Sequence, residues 1–123
     1  MSRAMRVTFL IHAMASAVSG LLLLVIPGRT LMSLGWAPVD PLLSRVLGAA
    51  LLALAWSSFR GRQAAERSQV RIVLESEVVF SALACVGLLR HLLFANWPLM
   101  VWLLFAVFGV FAIAWTAFLL RKA

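Results

Sequence analysis

Residues 7–28 read VTFLIHAMASAVSGLLLLVIPG, and this stretch decides the fold. Its first twenty positions are apolar or small and carry one ionisable side chain, His12, before Pro27-Gly28 breaks the run. A helix rises about 1.5 Å per residue, so a run of this length spans the roughly 30 Å hydrocarbon core of a bilayer. Arg3 and Arg6 precede it as they would precede a secretory signal, but the apolar run continues through Leu21, Leu22, Leu23, Leu24, Val25 and Ile26. That is longer than a signal core, and no small-residue cleavage site follows, so the segment is expected to stay as a first span.

Moving outward, three further stretches have the same character. Asp40-Pro41 supplies an N-cap side chain and a proline at the first helical position, opening a second span over residues 41–59. Residues 60–71 hold four arginines and belong in water or among head groups. A third span follows over residues 72–94, and Asn96-Trp97-Pro98 resets the chain for a fourth over residues 97–120. Between the first two spans, residues 28–39 read as a surface loop in which Trp36 suits the head-group zone. The expected fold is therefore all-α: one domain over residues 1–123, a polytopic four-transmembrane-helix bundle made of two hairpins.

Composition agrees. Of 123 residues, 64% are hydrophobic and 12% charged, far from the near-equal apolar and polar content of a water-soluble domain. The net charge of +7 would suggest nucleic acid in a soluble protein, but here the basic residues sit at span ends, so none is expected as a partner. Arg3, Arg6, Arg60, Arg62, Arg67, Arg71, Arg121 and Lys122 fall on one side, against Arg29 and the near-terminal Arg45 and Arg90 on the other. The positive-inside rule then makes both termini cytoplasmic, in a bacterial inner membrane. So strong a bias also separates the chain from the dual-topology small multidrug transporters, which carry a glutamate in their first helix.

Ionised groups in hydrocarbon cost at least a few kcal/mol, so each must find a partner, a cavity or the interface. At about 100° per residue, Thr8, His12, Ala15, Ser16, Ser19 and Gly20 share one stripe of the first span. Leu10, Met14, Val18 and Leu21 lie on the reverse. On the second span Arg45, Gly48, Ala49, Leu52 and Trp56 align and are expected to point inward. In the third, Glu77 goes with Ser81, Ala84, Cys85 and Leu88, whereas Glu75 goes with Ile72, Val79, Val86 and Leu93 and should snorkel beside Arg71. Gly109, Ala112 and Thr116 mark the packing stripe of the fourth.

Helical rise puts His12 and Glu77 at similar depth, with Trp56 and Thr116 near that level. The expectation is a polar cluster of His12, Ser16, Trp56, Glu77, Ser81 and Thr116, serving either as a pin between helices or as a ligand site. Arg45 and Arg90 lie about 15 Å further along and form a separate outer-side anion or lipid contact. His91 lies towards the opposite face from His12, which disfavours a bis-histidine haem within one chain. Cys85, alone in the chain, reads as a small packing residue. There is no glycine-rich phosphate loop, HExxH pair or nucleophile elbow, so no catalytic residue is assigned and no cofactor or metal is specified.

A histidine in the first helix, the Pro-Gly break, Asp-Pro before the second helix and then Arg45-Val46-Leu47-Gly48-Ala49 together give the chain a look similar to small four-helix bacterial membrane proteins of the DoxX-like type. The resemblance implies a fold and no particular activity, although some such proteins are linked to redox or thiol stress. Two functions are expected from the sequence. One is an accessory or scaffolding subunit, partnered by lipid and by a larger membrane complex or further copies of itself. The other is a transporter or lipophilic-ligand-binding protein using His12 and Glu77.

Overall fold

The structure is a computed structural model that describes residues 2–35, 40–94 and 99–121, with the side chains of residues 91 and 94 outside that description. Its elements are α1 (Arg3–Val25), α2 (Pro27–Ser33), α3 (Pro41–Gln63), a 3-10 turn (Arg67–Val70), α4 (Arg71–Phe94) and α5 (Leu99–Leu120). No strand occurs among the described residues. The helices α1, α3, α4 and α5 are each long and apolar enough to cross a membrane, with mean hydropathies of 2.0, 1.6, 2.0 and 2.5 over their most apolar windows.

The local signals account for the boundaries. Ser2 caps α1, its hydroxyl accepting the Met5 N–H at 3.2 Å. Asp40 caps α3, its carboxylate accepting the Leu42 N–H at 2.8 Å, and Pro41 occupies the first turn, where its missing N–H costs nothing. The break after Ile26 falls where expected, but Pro27 begins the short helix α2, so the stretch expected as loop is helical through Ser33. Trp36 of that loop and Trp97, at the expected start of the fourth span, lie outside the described residues. Helix α3 overruns the expected end at residue 59 and continues to Gln63, because arginine and glutamine are good helix formers and carry it past the apolar run.

The chain divides into two compact units, Met1–Ala65 and Glu66–Ala123, each holding one helical hairpin. In the first, α1 and α3 run antiparallel with interlocking stripes. Helix α1 buries Met5, Phe9, His12, Ala13, Ser16 and Gly20, and α3 buries Ser44, Gly48, Ala55, Ser58 and Gly61. Steps of three and four keep each stripe on one side of its helix. Glycine is required at its tightest point. A Cβ on Gly20 would lie 2.8 Å from the Gly48 carbonyl oxygen, and one on Gly48 would lie 2.7 Å from the Gly20 carbonyl oxygen. Nearer the charged end, Gly61 makes room for the fully buried Phe9 ring, whose Cε1 is 3.0 Å from where a Cβ would stand.

In the second unit, α4 and α5 are also antiparallel. The Phe80 and Phe108 rings meet edge to face at 5.8 Å, and the Cys85 Sγ points at the Phe105 carbonyl at 3.9 Å. At the basic end, Arg67 reaches across to donate to the carbonyls of Phe118 and Leu119, the latter at 2.7 Å. These carbonyls sit in the last turn of α5, where helix geometry leaves oxygens without intrahelical donors.

Candidate functional site in the buried polar side chains

Among the described residues, each hairpin buries one histidine or carboxylate side chain in an apolar helix. In the first this is His12, 5% exposed. Its Nδ1 lies 2.7 Å from the Ser58 hydroxyl of α3, and its Nε2 lies 3.5 Å from the Ser16 hydroxyl one turn on along α1. A serine hydroxyl both donates and accepts, so whichever ring nitrogen carries a proton donates to the serine beside it. The arrangement follows from the seam: with Phe9 seated on Gly61, the next turn of α1 must bring position 12 against position 58.

In the second hairpin it is Glu77, on the α4 face that also carries the buried Leu74 and Ser81, with Val70 of the preceding 3-10 turn buried as well. Ser81 Oγ is buried without a hydrogen-bond partner among the described residues. The crossings at Phe80/Phe108 and at Arg67/Phe118 bracket Glu77, which sets it level with the turn of α5 around Phe111. Trp115 is fully buried one turn further on, its indole stacked on Phe111 with ring centres 6.2 Å apart and 16° between planes. Thr116 is half-buried.

The sequence separated the two glutamates of α4 as the structure does. Glu75 is on the outer side with Ile72, Val79, Val86 and Leu93, and its Oε1 accepts from Arg71 Nε at 3.0 Å. On α3 the reading needs correction. Trp56 is 65% exposed and leans on Phe59 at 6.3 Å, while Arg45 and Ala49 are also exposed. The buried face is centred on Ala55 and Ser58 instead, so Trp56 does not join His12 and Ser16. The physical reason is the starting point of the wheel: Arg45 is itself exposed, and at about 100° per residue a face counted from it lies one residue's turn away from the face of Ser44, Gly48, Ala55 and Ser58. Counting 44, 48, 51, 55 and 58 by heptad steps finds Ser58, which the wheel missed.

On α1, Ala15 and Ser19 are exposed and Thr8 is half-buried, its hydroxyl donating to the Ala4 carbonyl at 2.9 Å. Met14, Val18 and Leu21 are exposed as expected. Arg90 is exposed near the far end of α4 from Arg67, and Arg45 near the start of α3, close to the capping Asp40. Among the described residues no group of three His, Cys, Asp or Glu side chains is placed to hold a metal ion.

Fold and buried groups together define the class: an all-helical chain of two hairpins whose four long apolar helices suit a multi-pass membrane protein. Comparison with protein-family models, curated proteins and solved structures finds no match to it.

Proposed function

We propose that this protein is an accessory or scaffolding subunit of a larger complex in a bacterial inner membrane, with both termini cytoplasmic. What supports it is the outer face of α4. Ile72, Val79, Val86 and Leu93 recur every seven residues, and all are more than half exposed. An isolated helix in lipid needs only apolar side chains, in any order. A strict heptad of apolar, mostly β-branched residues suits a partner helix that supercoils with it. Gly87 follows Val86 and lies about 100° round the helix from it, and a Cβ placed there would meet nothing within 4 Å. An open glycine on a membrane helix lets a neighbouring backbone come close, as small residues do at helix interfaces in lipid.

The orientation rests on charge. The first hairpin gathers Arg3, Arg6, Arg60 and Arg62 at one end, and the second gathers Arg67, Arg71 and Arg121 at one of its ends. The similarity to DoxX-like proteins belongs to the same reading and adds a fold expectation to it.

Gly87→Leu is the test. A Cβ there meets none of the described residues, so the isolated protein should stay folded while copurification of its partner from native membranes is lost. Unchanged copurification would remove the subunit reading.

A second reading is favoured by the burial of His12 and Glu77, since intramembrane ionisable groups commonly mark substrate or proton paths. On that reading the protein transports or binds a lipophilic ligand. Glu77→Gln and His12→Ala would then each abolish transport or binding at unchanged expression, whereas a stability change alone would leave them as structural pins.

A further inference from the structure

The charged end of the first hairpin holds a cavity of about 430 Å3, lined by Arg3, Arg6, Val7, Leu10, Arg62 and Gln63. Two turns of α1 and the last turn of α3 build it, brought together by the antiparallel seam. The lining is divided in character. Three guanidiniums and an amide form one part, and Val7 and Leu10, where the apolar run begins, form the other. Arg6 is held in place by donating to the Ala64 carbonyl at the end of α3, 3.5 Å away.

Among the described residues, no carboxylate lines the cavity. The one acidic residue within residues 1–65, Asp40, caps the other end of α3. Glu66, the next acid along the chain, is engaged in its own turn, where it accepts from the Ser68 hydroxyl at 3.3 Å. Three like charges so placed repel one another, and neither salt nor water removes that repulsion fully beside an apolar wall. An anion entering the cavity does.

We propose that this cavity binds the phosphate of an anionic phospholipid. Guanidiniums pair with phosphate oxygens through charge-assisted, forked hydrogen bonds. Val7 and Leu10 receive the first methylenes of the chains below the head group. The volume lies within the roughly 300–1,000 Å3 of small-molecule sites, large enough for a phosphoglycerol group. A free phosphate would use the arginines and leave the apolar part unmatched, so the composition of the lining favours the lipid.

The protein in neutral maltoside detergent is titrated with dioctanoyl phosphatidylglycerol, dioctanoyl phosphatidylcholine and inorganic phosphate, and bound species are counted by native mass spectrometry. The anionic lipid should bind one per chain, about tenfold tighter than the choline lipid. Arg3→Gln with Arg62→Gln should lose about that factor, and so should Leu10→Glu, which keeps every arginine but puts a carboxylate into the cavity. Arg60→Gln, at the same end of α3 but outside the cavity, should bind as the parent does. Circular dichroism monitors the helices of each variant. Equal binding of the two lipids, or equal loss in Arg60→Gln, would overturn the site. Displacement of the lipid by equimolar inorganic phosphate would overturn the lipid as its occupant and leave free phosphate in its stead.

Discussion

Gly20 and Gly48 bring α1 and α3 together backbone to backbone, each so close to the other's carbonyl oxygen that a β-carbon on either would stand under 3 Å from it. In hydrocarbon there is no gain from hiding apolar surface, so close packing and the few available hydrogen bonds must hold a hairpin together. The glycine contact supplies the first of these.

Gly48→Ala should therefore destabilise the hairpin by about 1–3 kcal/mol, because the obstacles are backbone atoms of Gly20 and Leu24 and cannot rotate away. Gly28→Ala, where a Cβ meets nothing within 4 Å, should be neutral. Unfolding in mixed detergent micelles followed by circular dichroism separates the two, and equal effects would refute the seam.

Ser58→Ala removes the 2.7 Å partner of His12. Polar contacts between membrane helices average about 0.6 kcal/mol in double-mutant cycles, so the coupling between Ser58→Ala and His12→Ala should be of that order. A coupling indistinguishable from zero would mean that the two side chains do not share a bond.

Two carboxylates on α4 should behave oppositely. Glu75 is half-exposed and paired with an exposed arginine one turn away, so Glu75→Gln should change stability by less than about 0.5 kcal/mol, and less still at high salt. Glu77 is fully buried, and Glu77→Ala leaves a hole among packed groups at a cost of about 2 kcal/mol or more. Thermal unfolding of the two variants in one detergent makes the comparison, which fails if Glu75 is the more sensitive.

Arg67→Gln should loosen the last turn of α5. Hydrogen exchange should quicken at amides such as that of Arg121, which bonds the Ala117 carbonyl, while the middle of α5 keeps its protection. Uniform protection in the variant would count against the bond to Phe118 and Leu119.

The four long apolar helices were legible because their length shows in the hydropathy and Pro, Gly and Asp mark their ends. Asp40-Pro41 and the break at Ile26 needed nothing beyond local chemistry. The opposite fates of Glu75 and Glu77 were also legible, since residues two positions apart on a helix point nearly opposite ways whatever surrounds them. Ser58 and Trp56 were not, because one residue's rotation of α3 depends on how α1 winds against it, and a wheel drawn for one helix contains no partner. The end of α3 was misplaced for another reason: hydropathy reports where oil stops, and the helix carried on through Arg60 and Arg62 to Gln63. The bonds from Arg67 escaped notice because its charge already had an explanation in topology.

Were α5 to wind on past its end, the amides of positions 122 and 123 would seek the oxygens of Phe118 and Leu119, which Arg67 already holds. The guanidinium takes up one lone pair on each, tying the close of the helix to a residue 51 positions upstream. Replacing Arg67 therefore frees two acceptors at the end of α5 without altering any side chain of that helix.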